Sequence, residues 1–523
     1  MRFFQRSRWS SAVPGAAPET AHSDLSASDP YDALPYGGGV YPYTDPRRLR
    51  AWQSILCGGL APCSSLRILD AGCGTGGNLI NLAALLPEAS FVGIDAAARQ
   101  IEQARSHAMA LGLHNVAWRV ADLVGGRADD LGGFDVIICH GVLSWIARES
   151  RPRLLDWLAS HLHPQGVAYV SFNARPGWFH FAPLRDLLAA VPPAAGAPGE
   201  RVGEARLLLA TAAELTASLP PEHSFRQLID QARQWPDEYL FHEFMAEHND
   251  AILLREFAAE ALVAGLAYCG EADGWDAASL GAEPALRSSL ARIADVVERQ
   301  QWLDFIAPRS FRMAILTHRT AVASAPAAHD RDTQEGRLAM LHLRAHLRPS
   351  ISVNLADLTP VDFLSVQSNI SFRAAFPLLK AACVELAECW PSSVPFPELA
   401  ARAGAAIAAA GLAAPPDGVR ALASALERAV VQGAVEAFAS PVAVAAFDSA
   451  RLRLWPPARW ALAQGLPLLP TRWHENEAVS EEERHALRLC IDARDADAAL
   501  PDGMALDLWQ RGLLVHPTEA GEG

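Results

Sequence analysis

The sequence predicts an α/β protein whose N-terminal third forms a parallel sheet covered by helices. Between residues 66 and 173, short apolar runs rich in β-branched and aromatic residues alternate with segments of helical length. Strands that alternate with helices in this way form parallel sheets with helices on both faces. The runs are almost continuously apolar, as expected for strands that are buried on both sides. A glycine-rich loop after the first run adds a candidate ligand site at one edge of the predicted sheet.

The individual elements follow from these patterns in chain order. Five strands are predicted at Leu66–Asp70, Phe91–Asp95, Val116–Leu123, Phe134–His140 and Val167–Asn173, and three helices at Asn78–Leu86, Ala96–Leu111 and Arg151–His161. Residues 200–300 are predicted to be helical. Arg309–His318 is predicted to be a strand that could return to the first sheet, which would make residues 200–300 an insertion. Further helices are predicted at Leu378–Arg402, Val419–Phe438 and Ser480–Ile491.

Composition narrows the classes of function. The chain has 523 residues, of which 50% are apolar and 20% charged, as is ordinary for a globular protein of three or four domains. Its net charge is −15, and an acidic chain lacks the basic face that nucleic acid requires, so no nucleic-acid partner is expected. No uncharged apolar run reaches the length of about 18 residues that predicts membrane insertion. The 8 cysteines include no CxxC pair, and we predict reduced thiols in a cytoplasmic protein.

The most specific motif is the loop Asp70-Ala71-Gly72-Cys73-Gly74-Thr75-Gly76-Gly77-Asn78, which links a strand to a helix. Glycine allows the backbone to turn tightly and to approach a ligand closely. The helix N-terminus that follows presents free N–H groups to a carboxylate or a phosphate. The G-x-G-x-x-G spacing alone could also serve a dinucleotide. The acids Asp95 and Asp122 end the next two strands, however, so three acids are predicted at one edge of the sheet.

With Asp70 in front of its glycines, the loop resembles motif I of the class I S-adenosylmethionine-dependent methyltransferases. The resemblance implies a Rossmann-like sheet and S-adenosyl-L-methionine as the cofactor. It implies that Asp70 helps to hold the methionine ammonium, that Asp95 binds the ribose hydroxyls and that Asp122 lies at the adenine amino group. The cofactor-binding residues assigned on this basis are Asp70, Gly72, Gly74, Gly76, Asn78, Asp95, Asp122, Leu123 and Gly141.

A narrower resemblance extends over almost the full chain, from about Tyr31. The segments His140-Gly141-Val142-x-Ser144-Trp145 and Tyr169-Val170-Ser171-Phe172-Asn173-x-x-Pro176-Gly177-Trp178 resemble bacterial methyltransferases that carry a methyltransferase regulatory domain. The characterised members of that family are the rickettsial-type protein lysine methyltransferases. Residues 239–244 and 265–268 resemble the regulatory domain, and residues 377–382 with 390–391 resemble a winged-helix-like domain.

The resemblance and the composition together imply six regions. They are a disordered tail (1–28), an S-adenosylmethionine-binding domain (29–195), a helical regulatory domain (196–320), a linker (321–336), a winged-helix-like domain (337–440) and a C-terminal domain (441–523).

Substrate candidates lie at the ends of the fourth and fifth strands. The Asn/Asp-Pro-Pro-aromatic tetrad that grips a planar amino group is absent at residues 140–145, which argues against adenine, cytosine and glutamine acceptors. His140 and Asn173 are the catalytic candidates, although His140 could equally be a structural hydrogen-bonding residue. Tyr36, Trp145 and Trp178 are predicted to line the acceptor channel, with helix-to-sheet packing as the alternative for Trp145.

No metal site is predicted. The segment from His242 to His248 resembles a zinc-protease helix, but HExxH spacing would need His at position 246, which is Ala. Histidines six residues apart lie on different faces of a helix. A helix with a charged, exposed surface is therefore predicted for this segment.

The function predicted from the resemblance is a protein lysine N-methyltransferase that acts on another protein. Two alternatives stay open: a small-molecule O- or N-methyltransferase and a non-catalytic regulator that binds the cofactor. The second stays open because Asp70, Asp95 and Asp122 indicate that the cofactor binds and not that a methyl group is transferred. The expected partner is a protein with accessible lysines, on a cell-surface or secretory client, and a homodimer is kept as an option. Lys380 is the only lysine of the chain, so self-methylation has almost no acceptor.

Overall fold

The computed structural model describes residues 33–34, 38–58, 65–125, 130–192, 196–274, 284–323, 336–492 and 500–519. The predicted tail (1–28), the channel candidate Tyr36 and most of the predicted linker lie outside these residues.

A seven-stranded sheet with the order β3-β2-β1-β4-β5-β7-β6 organises the first 320 residues. Its strands are β1 (Arg67–Ala71), β2 (Ser90–Asp95), β3 (Val116–Val120), β4 (Phe134–Cys139), β5 (Leu162–Asn173), β6 (Leu266–Glu271) and β7 (Phe311–His318). The neighbours among β1 to β5 are parallel, and β7 runs antiparallel to both β5 and β6. The predicted Rossmann-like α/β fold is confirmed.

Helices cover both faces of this sheet and, together with several small sheets, form the rest of the described chain. In chain order they are α1 (Pro46–Cys57), α2 (Gly77–Leu85), α3 (Ala98–Ala110), α4 (Arg151–His161), α5 (Ala182–Leu188), α6 (Pro198–Thr216), α7 (Ser224–Ala232), α8 (Asp237–Tyr239), α9 (Leu254–Val263), α10 (Pro284–Ala291), α11 (Val296–Ile306), α12 (Arg319–Ala323), α13 (Pro377–Cys389), α14 (Phe396–Ala409), α15 (Gly418–Val431), α16 (Pro456–Ala463), α17 (Glu481–Asp492) and α18 (Asp502–Gln510).

Two apolar cores lie on opposite faces of the sheet. Because side chains alternate along a strand, the neighbours Ile68 and Leu69 of β1 point into different cores. Leu49 of α1 belongs to the first core and Leu154 of α4 to the second, and all four side chains are fully buried. The strands are therefore sandwiched between helices, which is why their sequences are apolar almost throughout.

Strand β7 lies between β5 and β6, so the chain leaves the sheet after β5 and returns to it. Tyr169 of β5 pairs with Ile315 of β7, and Tyr268 of β6 pairs with Leu316. The prediction that residues 200–300 are entirely helical is wrong at Leu266–Glu271, which is strand β6. Six residues between helices are too short a run for local periodicity to distinguish a strand from a turn of helix.

The fully buried guanidinium of Arg312 joins β7 to its neighbours. It pairs with the carboxylate of Glu271 on β6 and, at 2.8 Å, with that of Asp304 on α11. All three side chains have no exposed area. The ion group ties the returning strand to the segment that precedes it.

Two helices predicted in the C-terminal half are shorter than expected. The predicted helix Leu378–Arg402 is two helices, α13 and α14, separated by a cis Trp390-Pro391 peptide and the short strand β12 (Val394–Pro395). Proline lacks the N–H that a helix interior needs. The helix predicted at Val419–Phe438 ends at Val431, because a left-handed Gly433 (φ 77°) follows it.

Small sheets complete the C-terminal half. Their strands are β8 (His342–Arg344), β9 (Leu347–Pro349), β10 (Val361–Ser365), β11 (Ser371–Ala374), β13 (Glu436–Phe438), β14 (Arg453–Leu454), β15 (Leu468–Pro470), β16 (Asn476–Ala478) and β17 (Leu514–Val515). They pair in the orders β11-β10-β9, β12-β8-β13, β14-β17 and β15-β16.

The segment from His242 to His248 is not the exposed charged helix that was predicted. Residues Leu240–Phe244 form one buried π-helical turn, in which His242 and Glu243 are 2% and 8% exposed. Its aromatic side chains Phe241 and Phe244 pack into an apolar core shared with α5, α6 and α7. Among the described residues, no cluster of three His, Cys, Asp or Glu side chains could hold a metal ion.

A disulfide joins Cys57, at the end of α1, to Cys269 of β6, with the Cα atoms 6.0 Å apart. The prediction of reduced thiols is wrong for this pair. The two residues are 212 positions apart, so no local spacing indicated the bond. The described part of the chain also contains no helix long and apolar enough to cross a membrane.

Candidate active site

The glycine loop connects β1 to α2 through three residues in the left-handed region. Gly72, Gly74 and Gly76 have φ angles of 83°, 55° and 77°, values that side chains other than glycine seldom adopt. The N–H groups of Gly72 and Cys73 both donate to the carbonyl of Ile94 at the end of β2. The loop is thereby held over the carboxyl edge of the sheet, where ligands bind in such folds.

The three predicted acids lie at the carboxyl ends of the neighbouring strands β1, β2 and β3. The carboxylate of Asp95 accepts the N–H of Gly74 at 2.8 Å and the N–H of Ala97 at 2.9 Å, so it shapes the loop directly. Asp122 is exposed and accepts the N–H of Val124 in the turn after β3. Leu123 beside it is buried.

Asp70 is the buried acid of the three, with 3% of its surface exposed. The side-chain amide of Asn78 donates to its carboxylate at 3.3 Å. Burial, with a smaller contribution from the charge of Asp95, raises the pKa of Asp70 to about 7. A carboxylate whose charged form is this costly is suited to pairing with a cationic group of a ligand.

The entry strap, which we define as residues 38–44, lies across the glycine loop. The backbone N–H of Tyr41 and the hydroxyl of Thr44 both donate to the side-chain oxygen of Asn78. A Cβ on Gly38 would lie 2.3 Å from the hydroxyl oxygen of Thr75, so a larger residue there would force the Thr75 side chain to move. The strap therefore covers the loop that the sequence assigns to the cofactor.

His140 lies beside the strap at the end of β4. Its ring stacks on that of Tyr41 with centroids 3.9 Å apart, and the rings of Tyr169 and Phe311 lie 5.8 Å away. We call these four side chains the aromatic cluster. Tyr169 is fully buried, whereas the other three are partly exposed.

The hydrogen bonds of His140 favour an orienting role over that of a base. Its Nδ1 lies 3.0 Å from the Tyr169 hydroxyl and 3.2 Å from that of Ser171, which itself accepts the N–H of Gly141. When Nδ1 accepts from one of these hydroxyls through its single lone pair, Nε2 carries the proton. Burial lowers the pKa of His140 to about 4, so the ring is neutral near pH 7.

Asn173, Trp145 and Trp178 contact the π-helical turn of the regulatory segment. Asn173 donates to the carboxylate of Glu243 at 3.0 Å, as does the Trp178 indole at 3.3 Å, and the Trp145 indole donates to the carbonyl of His242. Trp178 is only 6% exposed. Its place in the acceptor channel stays a prediction.

The sequence analysis missed several side chains of the site. Tyr41, Tyr169 and Phe311 surround His140 but come from the strap, β5 and β7, and no motif links them. Tyr169 and Phe311 lie on neighbouring strands, so a correct pairing of β5 with β7 would have found that part of the cluster.

Ligand affinity should depend on pH through Asp70. Its raised pKa of about 7 means that the carboxyl is neutral below that pH and cannot pair with an ammonium group. We expect the affinity for S-adenosylhomocysteine, measured by calorimetry, to fall about tenfold from pH 8 to pH 6. In the Asp70→Asn variant the affinity should be lower and independent of pH over this range. A wild-type affinity that is constant from pH 8 to pH 6 would contradict this assignment.

Comparison with known sequences agrees with this geometry. Residues 68–166 match a family described as methyltransferase domain, and residues 236–318 match one described as predicted methyltransferase regulatory domain. The uncharacterized protein RP789 of Rickettsia prowazekii is 30% identical over 292 residues, which cover 55% of this chain and 53% of that protein, so the chain spans about half of its length. The trans-aconitate 2-methyltransferase of Deinococcus radiodurans is 32% identical over 108 residues, 21% of this chain and 38% of that enzyme.

Among solved structures, PKMT2 from Rickettsia typhi has the same fold over most of its length. The match has a TM-score of 0.72 at 22% identity and covers 92% of this chain and 100% of that one. The complex of that protein with AdoHcy gives a TM-score of 0.70 over the same shares. The two family matches thus identify a methyltransferase domain and a methyltransferase regulatory domain within the chain, and the structural match confirms the predicted fold.

Proposed function

We propose that this chain, which joins a methyltransferase domain to a methyltransferase regulatory domain, transfers methyl groups from S-adenosylmethionine to lysine side chains of another protein. The observation that carries the proposal is the position of the aromatic cluster beside the glycine loop. Tyr41 stacks on His140 and also donates its backbone N–H to Asn78, the residue that holds Asp70. In this proposal the aromatic cluster binds the amine, and Tyr41 connects this cluster to the loop that binds the cofactor.

The residues of the loop fit the proposed cofactor. Asp70 supplies a buried carboxylate for an ammonium group, and the left-handed glycines leave the backbone open to a ligand. Asp95 fixes the loop through Gly74 and has the position that suits a ribose diol. The bound cofactor would supply an electrophilic methyl group on a sulfonium.

The aromatic cluster suits the amine of a lysine. Aromatic faces attract an ammonium group, and burial among them favours the neutral amine, which is the form that attacks a methyl group. His140 contributes a neutral ring and, when its Nδ1 accepts the Tyr169 hydroxyl, an Nε2–H on the side away from Tyr169. In this proposal the chain binds, orients and dehydrates the amine, and no covalent intermediate is needed.

The acceptor is proposed to lie on another protein because Lys380 cannot serve. Its side chain has no exposed area, and its Nζ donates to the carbonyls of Asn354 and Asp357 and to the Asp357 carboxylate. The net charge of −15 favours a lysine-rich partner, with association weakening as salt rises. We propose that the reaction takes place in the cytoplasm, before the client is exported.

A labelled-methyl assay tests the proposal. The purified chain is incubated with S-adenosylmethionine labelled in its methyl group and with lysate of the host, and protein and small-molecule fractions are counted separately. We expect label in protein, on lysine by peptide mass spectrometry. Label should fall at least about tenfold with Asp95→Ala, which removes the acceptor of the Gly74 N–H, and should be unchanged with Lys380→Arg.

The other outcomes identify the alternatives. Label that appears in a metabolite and in no protein would replace the proposal with a small-molecule methyltransferase. Binding of S-adenosylhomocysteine without any transfer would indicate a regulator that only binds the cofactor.

A further inference from the structure

The C-terminal unit, residues 441–519, packs directly on the helices that follow the glycine loop. Ala84 and Leu85 of α2 lie against the apolar core of this unit. The ring of Trp460 on α16 lies 4.0 Å from that of His107 on α3. A region nearly 400 residues away in sequence thus packs on the C-terminal ends of the two helices that follow the loop.

A row of buried hydrogen bonds runs from this unit to Asp70. The Trp455 indole donates to Asn81 Oδ1 at 2.8 Å, and Asn81 Nδ2 lies 3.0 Å from His474 Nδ1. His474 Nε2 lies 3.0 Å from Asn78 Oδ1, and Asn78 Nδ2 donates to Asp70 at 3.3 Å. All five side chains are at least about nine-tenths buried, with exposures between 0% and 4%.

Chemistry fixes the direction of every bond in this row. An indole N–H can only donate, so Asn81 must present its oxygen to Trp455, and its nitrogen donates to the carbonyl of Thr471 at 3.1 Å. His474 Nδ1 is therefore the acceptor of the Asn81 amide, and Nε2 carries the proton toward Asn78. The Tyr41 backbone N–H, which also donates to Asn78 Oδ1, requires the same orientation of Asn78.

The same segment holds the entry strap. The side chain of Asn476 accepts the N–H of Val40 at 3.2 Å and donates to its carbonyl at 2.7 Å. His474 has a left-handed backbone (φ 58°), and the turn there allows both His474 and Asn476 to face the loop and its strap.

We propose that His474 is a positioning residue of the cofactor site: it orients the Asn78 carboxamide, which in turn holds the Asp70 carboxylate for the ammonium group of the cofactor. The inference rests on the proposed function, since it assumes that Asp70 binds that group. It makes the C-terminal unit part of the cofactor site and not an appendage to the methyltransferase domain.

The His474→Asn variant tests this role. Asparagine tolerates a left-handed backbone, and its side-chain oxygen can still accept from Asn81, but it is too short to donate to Asn78. We expect S-adenosylhomocysteine, measured by calorimetry well below the unfolding temperature, to bind about tenfold more weakly. The matched control is His485→Asn on α17, an exposed histidine of the same unit, which should bind as the unaltered chain does.

A double-mutant cycle separates positioning from general stabilisation. In an Asn78→Ala background, where His474 has no carboxamide to orient, His474→Asn should cause no further loss of affinity. Equal losses in both backgrounds would overturn the proposal, as would an unchanged affinity in the single variant.

A second pair of variants applies if His474→Asn does not fold. Trp455→Phe removes the first donor of the row and keeps the aromatic packing, and should weaken binding about threefold. Trp460→Phe makes the same change on α16 outside the row and should have no effect. Equal affinities for these two variants would overturn the proposal. If the unaltered chain does not bind S-adenosylhomocysteine, the proposed function fails and the inference fails with it.

Discussion

Replacement of Gly74 by valine is expected to weaken S-adenosylmethionine binding by about a hundredfold or more, roughly 2.7 kcal/mol. Gly74 has a φ of 55°, and a β-branched residue is strained in that region. A Cβ at this position would also lie 3.0 Å from the side-chain oxygen of Gln100. The backbone must move, which breaks the bond from the Gly74 N–H to Asp95 and displaces the loop.

The Gly112→Val variant is the matched control for this change. Gly112 also has a left-handed φ, of 65°, but a Cβ there would meet nothing within 4 Å and would not touch the loop. It should lose a similar amount of stability to backbone strain and keep its affinity. Calorimetry with S-adenosylhomocysteine and thermal unfolding together separate the two effects. Binding in Gly74→Val that equals binding in Gly112→Val would exclude the glycine loop as the cofactor site.

The Arg312→Leu variant should lose about 3–5 kcal/mol of the free energy of unfolding. Arg312 is fully buried against Glu271 and Asp304, and leucine would leave Asp304 buried without its paired cation and Glu271 with only Arg309, at 3.4 Å. Denaturation by urea, followed by fluorescence, measures the loss.

The exposed ion pair between Arg373 and Asp362 supplies the control. Both partners are open to solvent, so Arg373→Leu should leave the denaturation midpoint almost unchanged. Similar midpoints for the two variants would show that the buried ion group does not hold β7 in the sheet.

The sheet and its ligand edge could be predicted because their signals are local. Asp70, its glycines and Asp95 lie within 26 residues of one another in a strand–loop–helix–strand pattern. Each of these strands can be recognised from its continuous apolar run. Register and handedness then bring the acids to one edge without further information.

The parts of the fold and the site that the sequence did not predict depend on contacts between distant segments. Strand β6 was missed because its six residues follow a helix closely and carry no period of their own. His474 carries no motif, and it lies 396 positions after Asn78 in the sequence. Trp178 has a side chain suited to a channel wall or to a packed core, and its ring neighbour Phe244 lies 66 positions further along the chain, outside the reach of any local motif.

The late position of β7 in the chain has a consequence during synthesis. Strand β5 ends at Asn173, and the strand that must lie beside it ends only at His318. At 5–20 residues per second, a ribosome needs on the order of 7–30 s to make the roughly 145 residues between them. Throughout that time β5 is an open edge, and the aromatic cluster lacks Phe311. If the aromatic cluster binds the amine as proposed, we expect the nascent methyltransferase domain to be inactive until β7 has left the ribosome, and its open β5 edge to be most prone to aggregation during that interval.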